Sequence, residues 1–91
     1  MRFEATRLIA EAQVQRDATA ARARDTRDRV LPLARTVRDR AVRSYRLGET
    51  NLVAALEAMR TERQTAFAFV AELVAFQEAR ADWDALAGET P

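Results

Sequence analysis

Positions at successive steps of three or four residues carry mostly apolar side chains along the second half of the chain. They are Leu52, Ala55, Met59, Glu62, Ala66, Phe69, Leu73, Phe76, Arg80, Trp83 and Ala87. This spacing predicts an α-helix from about residue 50 to residue 87, ending at Gly88. A second apolar stripe lies beside the first, at Leu56, Phe67, Val70, Val74 and Ala81. Since one partner helix cannot cover both stripes, the pattern also predicts packing into a multi-helix bundle, with further helices from another chain or from missing parts of this one.

The first half of the chain predicts another helix, from about residue 3 to residue 46. Its C-terminal part has a coiled-coil stripe at Val30, Ala34, Val37, Ala41 and then Ser44 or Tyr45. Residues 11–29 alternate alanine with charge, and we expect weaker packing there. Pro32 predicts either a kink near residues 28–32 or the start of a new helix, and the lack of loop residues before it favours the kink.

Gly48 lies between the two helical patterns and is the only glycine before position 88. Glycine readily adopts the left-handed conformation that ends a helix. Thr50 or Asn51 can then cap the next helix by accepting a backbone N–H. The fold class that follows is all-α: a single long antiparallel helical hairpin over residues 1–91, with its tip at 47–50.

Charge is distributed unevenly between the two predicted helices. Residues 1–46 carry twelve arginines and six acids, whereas residues 47–91 carry three arginines and eight acids. Opposite charges would therefore lie on either side of the seam, the line along which the two helices pack together. The antiparallel hairpin is expected to pair residues whose numbers sum to about 97. The arginine-rich run at residues 22–29 could contact a phosphate backbone. Its interleaved aspartates and its lack of aromatic side chains for base stacking argue against this, so we expect no nucleic-acid partner.

The residue content excludes several kinds of chemistry. The chain has no cysteine and no histidine, which removes thiol chemistry, imidazole catalysis and the usual zinc sites. No phosphate-binding glycine loop or nucleophile–base set is present either. We therefore expect no enzyme activity, no catalytic residue, no metal and no cofactor. No apolar window suits a signal peptide or a membrane span, so the chain as given is expected to be soluble.

The segment from Val30 to Gly88 resembles the second periplasmic hairpin of TolC-like outer membrane factors, most closely the heavy-metal cation efflux branch. The matching features are Val30-Leu31-Pro32-Leu33-Ala34-Arg35, Tyr45-Arg46-Leu47-Gly48-Glu49, the turn leucines Leu52 and Leu56 with Glu57-Ala58-Met59-Arg60, and the closing Trp83, Leu86 and Gly88. The chain has one hairpin and no β-strand pattern, so the resemblance implies a fragment of a channel subunit or a shortened relative.

The resemblance implies a trimeric channel whose helical barrel lies in the periplasm and exports heavy metals or drugs. The hairpin tip would dock on a periplasmic adaptor of a tripartite pump and contribute to gating. The implied tip residues are Tyr45, Arg46, Leu47, Gly48, Glu49, Thr50 and Asn51. Leu47 would supply an apolar contact, and Arg46 and Glu49 would form ion pairs or line the aperture.

The alternative is a free-standing hairpin that dimerises into a four-helix bundle and acts as a soluble protein–protein interaction module. Both readings predict self-association of the isolated chain, through an interface at Phe69, Leu73, Phe76 and Trp83. The tip separates the two readings, because only the channel hairpin needs Leu47–Asn51 for its function.

Overall fold

A computed structural model describes residues 2–88, which form three α-helices and one π-helical turn. Helix α1 spans Arg2–Asp25, the π turn spans Thr26–Val30, α2 spans Leu31–Arg46 and α3 spans Leu52–Gly88. The described residues contain no strand. The all-α hairpin class predicted from the hydrophobic pattern is therefore confirmed.

The chain divides into two compact units. The turn unit, Asp25–Val70, contains the π turn, α2 and the first half of α3. The terminal unit pairs residues 2–24 of α1 with the second half of α3, from Ala71 onward. In each unit, a segment that precedes Gly48 packs antiparallel against a segment that follows it.

The inward face of α3 follows an uninterrupted alternation of three- and four-residue steps. This face consists of ten buried or half-buried residues: Ala55, Ala58, Glu62, Thr65, Phe69, Glu72, Phe76, Ala79, Trp83 and Leu86. This is the heptad pattern of a coiled coil. Four half-buried alanines flank the face, at 54, 66, 75 and 87. The predicted stripe is right at seven of its eleven positions, which are Ala55, Glu62, Ala66, Phe69, Phe76, Trp83 and Ala87, and wrong at Leu52 and three others. Met59, Leu73 and Arg80 are exposed, and the smaller or acidic neighbours Ala58, Glu72 and Ala79 take the inward positions.

The helical segments that precede the tip show the same alternation of three- and four-residue steps, with one interruption. Its inward positions are Ala12, Arg16, Thr19, Ala23 and Thr26, followed by Leu31, Ala34, Arg38 and Ala41. The step from Thr26 to Leu31 is five residues because the Leu31 N–H donates to the Thr26 carbonyl across a π turn. A π turn adds one residue to a helical turn, so it shifts the inward face by one position directly before Pro32. Pro32 then stands in the first turn of α2. The predicted kink at this point stays a prediction.

The most deeply buried side chains are mostly small. Among the described residues they are Thr19, Ala23, Thr26, Leu31, Ala55 and Ala79. The Thr19 hydroxyl donates within its own helix, with the Gln15 and Arg16 carbonyl oxygens 2.8 and 3.0 Å away, so its burial leaves no unpaired polar group. The expectation of weak packing over 11–29 is therefore wrong at Thr19 and Ala23, because small side chains let helices approach closely.

Candidate interaction surfaces

The tip, residues 45–51, is a well-defined helix-ending turn. Gly48 has φ +74°, the left-handed conformation for which glycine is expected here. The Glu49 N–H donates to the Ser44 carbonyl at 2.8 Å, and the Gly48 N–H donates to the Tyr45 carbonyl at 3.0 Å. These two bonds are the pair that defines a Schellman motif, which satisfies the last carbonyls of a helix. The backbone of the tip is therefore fixed by α2 itself.

Helix α3 begins with a side-chain cap. The Asn51 side-chain oxygen accepts a hydrogen bond from the Ala54 N–H at 2.9 Å, as an N-cap residue does. Thr50 is half-buried and does not take this role. The sequence predicted that either Thr50 or Asn51 caps the helix after Gly48, and in the structure the cap is Asn51.

Apolar side chains surround this fixed backbone and remain exposed. Leu47 is 62% exposed, and Tyr45, Leu52 and Val53 are also exposed. Arg46 and Glu49 are exposed as well, and neither forms an ion pair within the described chain. The seven predicted tip residues therefore lie together, with their apolar and charged groups facing solvent.

An ion-pair cluster ties α2 to α3 inside the turn unit. The Glu62 carboxylate lies 3.3 Å from the Arg38 guanidinium and 3.7 Å from that of Arg35. The side chain of Glu62 is only 18% exposed, so solvent screens this cluster less than a surface pair. The numbers of Arg35 and Glu62 sum to 97, which is the predicted register.

The two sides of the α2–α3 pair differ in chemistry. One side is an apolar groove of about 270 Å³, lined by Val30, Leu33, Ala34, Val37, Ala58, Thr61 and Thr65. The other side is a basic groove, lined by Arg38, Asp39, Val42, Arg43, Arg46 and Met59. Residue spacing along each helix did not reveal these grooves, because each forms only where two helices meet.

The terminal unit contains part of the predicted aromatic interface. Trp83 and Phe76 are half-buried in the packing of their own chain, as Phe69 is in the turn unit, and Leu73 is exposed. The Arg16 guanidinium carbon lies 4.2 Å from the centroid of the Trp83 ring, within cation–π range. Four second-stripe residues of α3, Leu56, Phe67, Val70 and Val74, are also exposed, with Phe67 at 70%.

Two buried polar atoms of the described residues have no hydrogen-bond partner: Glu72 Oε2 and Trp83 Nε1. Both belong to inward positions of α3. Such groups are costly to bury, so they mark the least satisfied part of the terminal unit.

Charged side chains around the π turn pair with one another. Arg29 donates two hydrogen bonds of 2.8 Å to the Asp25 carboxylate, which lowers the pKa of Asp25. Arg27 pairs with Asp28 at 2.7 Å. The arginine-rich run is thus partly neutralised locally, which weakens its case as a phosphate-binding surface.

The part of the chain that the structure describes contains no cluster of three or more metal-ligating side chains. No helix in that part has an apolar stretch of the length needed to cross a bilayer. Comparison of the chain with protein-family models, with curated proteins and with solved structures returned no match.

Proposed function

We propose that this chain is a helical hairpin of an efflux-channel subunit of the TolC-like type, whose tip docks on a periplasmic adaptor and contributes to channel gating. The observation that carries the proposal is the tip itself. Its backbone is held by the Schellman motif and the Asn51 cap, yet Leu47 remains 62% exposed. A rigid turn that presents an apolar side chain is typical of a docking site rather than of a connecting loop.

The uncovered apolar surface of the turn unit supports the same proposal. Leu56, Phe67 and Val70 of α3 are exposed, as are Leu33 and Val37 of α2. A helix in a barrel has neighbours on more than one side, so its apolar surface is wider than one partner can cover. Arg46 and Glu49 form no ion pair among residues 2–88, and we propose that they form gate-type ion pairs or line the aperture of the trimer. In this proposal the hairpin lies in the periplasm and the exported substrate is a heavy-metal ion or a drug.

Binding of the full 91-residue chain to a periplasmic adaptor of a tripartite heavy-metal efflux pump tests the proposal. Leu47→Glu should weaken this binding at least about tenfold, because a central apolar contact is lost. Leu8→Glu is the matched control, since Leu8 is also an exposed leucine but lies in the terminal unit. Unchanged binding by Leu47→Glu, or no binding by the wild-type chain, would contradict the adaptor role.

The second candidate is a free-standing hairpin that dimerises and acts as an interaction module. The exposed apolar residues of α2 and α3 favour it independently of the tip. The reading frame upstream of Met1 separates the two candidates. A frame that continues through a signal peptide and alternating strands supports the channel, whereas a stop codon and ribosome-binding site just before Met1 support the module.

A further inference from the structure

We propose that two copies of this chain associate side by side through the apolar groove of the turn unit, with both tips at the same end. This association goes beyond the channel role and does not depend on it. In this association, the apolar groove of one copy packs against the apolar groove of a second copy.

The two rims of the groove have complementary shapes. The α2 rim carries the bulky side chains of Leu33 and Val37, which are 58% and 50% exposed. The α3 rim carries the small side chains of Ala58, Thr61 and Thr65. In a two-fold dimer each surface meets its own copy, so the bulky rim of one chain can fill the small rim of the other, twice.

Shape complementarity also sets the orientation. The Arg35–Glu62 contact places residues whose numbers sum to about 97 at the same level along the two helices. Leu33 is therefore level with the region of Thr65, and Val37 with the region of Thr61. A two-fold axis parallel to the helices keeps these levels and lays α2 of one copy against α3 of the other. A two-fold axis across the helices would instead oppose the two bulky rims.

The charges at the outer edges agree with the parallel arrangement. Arg40 follows Val37 by three residues, and Glu57 precedes Thr61 by four, so each lies at the outer edge of its rim. Both are exposed, and neither forms an ion pair within the described residues. Their numbers also sum to 97, so a parallel dimer brings Arg40 of each copy opposite Glu57 of the other.

The basic groove on the other side of the turn unit is a poor surface for a second copy. Arg38, Arg43 and Arg46 line it, with Asp39 as the one acid. Two such grooves face to face would bring like charges together, which is destabilising. The apolar groove is therefore the side that self-association uses.

Sedimentation velocity of the full chain over a concentration series tests the association. The wild type should form dimers with a Kd on the order of tens of micromolar, and Leu33→Glu should weaken dimerisation at least about tenfold. Leu56→Glu is the matched control, because Leu56 is 49% exposed on α3 and does not line the apolar groove. Circular dichroism should show unchanged helix content for both variants, since both leucines are exposed.

A charge-swap mixing experiment tests the pairing of Arg40 with Glu57. Arg40→Glu alone and Glu57→Arg alone should each dimerise roughly 3- to 10-fold more weakly than the wild type. An equimolar mixture should recover dimerisation, because every facing pair in the mixed dimer is then of opposite charge. A pair within one chain could not produce this recovery.

Distances between tips test the orientation. The chain has no cysteine, so Thr50→Cys places one spin label on each copy. A parallel dimer should give label separations below about 30 Å, whereas opposed tips should give about 40 Å or more, from the helical rise of 1.5 Å per residue. A wild type that stays monomeric to about 100 µM would overturn the proposal and assign the groove to a different protein. Equal weakening of dimerisation by Leu56→Glu would contradict the apolar groove as the interface. Label separations of about 40 Å or more would contradict the parallel orientation.

Discussion

In the turn unit, Glu62 reaches two arginines of the facing helix, and a Schellman motif and an asparagine cap fix the chain reversal. The terminal unit instead packs small residues such as Thr19, Ala23 and Ala79, and has one cation–π contact between Arg16 and Trp83. Directional contacts specify register at the cost of desolvating charge, whereas small side chains permit close approach without selecting one register. The comparison indicates that directional contacts specify the register within the turn unit, whereas close packing of small side chains holds the terminal unit together.

The largest expected effect comes from Leu31, the one large side chain among the buried apolar residues described. Leu31→Ala should lower the free energy of unfolding by about 2–4 kcal/mol, because it leaves a cavity in the seam. Leu56→Ala, at an exposed leucine of the same unit, should cost less than about 0.5 kcal/mol. Urea unfolding followed by circular dichroism measures both, and equal losses would mean that Leu31 is not part of the turn unit's core.

The tip provides the next test. Gly48→Ala should cost about 1–2 kcal/mol, because a Cβ disfavours the left-handed conformation. The added methyl group meets no atom within 4 Å, so the loss would come from the backbone alone. The control is Gly88→Ala. Gly88 lies in α3 without a positive φ and also has open space around a new Cβ, so this substitution should not destabilise the chain. A loss at both positions would contradict the backbone explanation.

Glu62→Gln removes the charge from the turn unit's ion-pair cluster while keeping its shape. The expected loss is about 1 kcal/mol, decreasing as salt is added. The control Asp84→Asn removes the acid of the Arg80–Asp84 pair, whose side chains are about 60% exposed at 4.0 Å, and should have no measurable effect. Thermal unfolding at two ionic strengths measures both effects. A loss of stability in Glu62→Gln that does not depend on salt would indicate that Glu62 acts through packing rather than through its charge.

The cation–π contact tests the terminal unit in the same way. A double-mutant cycle of Arg16→Gln and Trp83→Leu should give a coupling of about 0.5–1 kcal/mol. Trp83 is the only tryptophan, so its fluorescence reports the environment of this contact in the Arg16→Gln variant. A coupling of zero with an unchanged spectrum would show that the terminal unit rests on small-residue packing alone.

The smallest expected effect is a pH dependence at the start of the turn unit. The hydrogen bonds from Arg29 lower the pKa of Asp25 below its ordinary value of about 3.8. The contribution of this pair to stability is therefore full above that value and is lost as the pH falls through the lowered pKa. Asp25→Asn should flatten this part of an acid titration followed by circular dichroism, whereas Asp39→Asn should leave it in place.

Hydrophobic spacing was sufficient to predict two helices, and Gly48 with the capping residues after it was sufficient to predict the reversal, because both follow from local preferences. It placed Met59 and Leu73 inward where Ala58 and Glu72 are found. The error has a physical cause, since a stripe of large residues is ambiguous by one position when small neighbours can pack more closely.

The candidate surfaces were less predictable than the helices. The resemblance brought the tip residues forward as a group, and the structure places them together. The two grooves depend on how α2 is rotated against α3, which the spacing of either helix alone does not specify. The π turn was not predicted either, because the five-residue step from Thr26 to Leu31 is visible only from which side chains are buried. Pro32 was the one local signal in the sequence.

The π turn couples two neighbouring features of the chain, the extra residue in the turn and Pro32. Deleting one residue between 26 and 31 would change the five-residue step to four and convert the turn to ordinary α-helix, leaving both inward faces in phase. Pro32 would then stand in the interior of a regular helix, where proline is costly. Across descendants of this sequence, the extra residue and the proline should therefore be inherited or lost together, and a lineage that keeps only one of them should be rare.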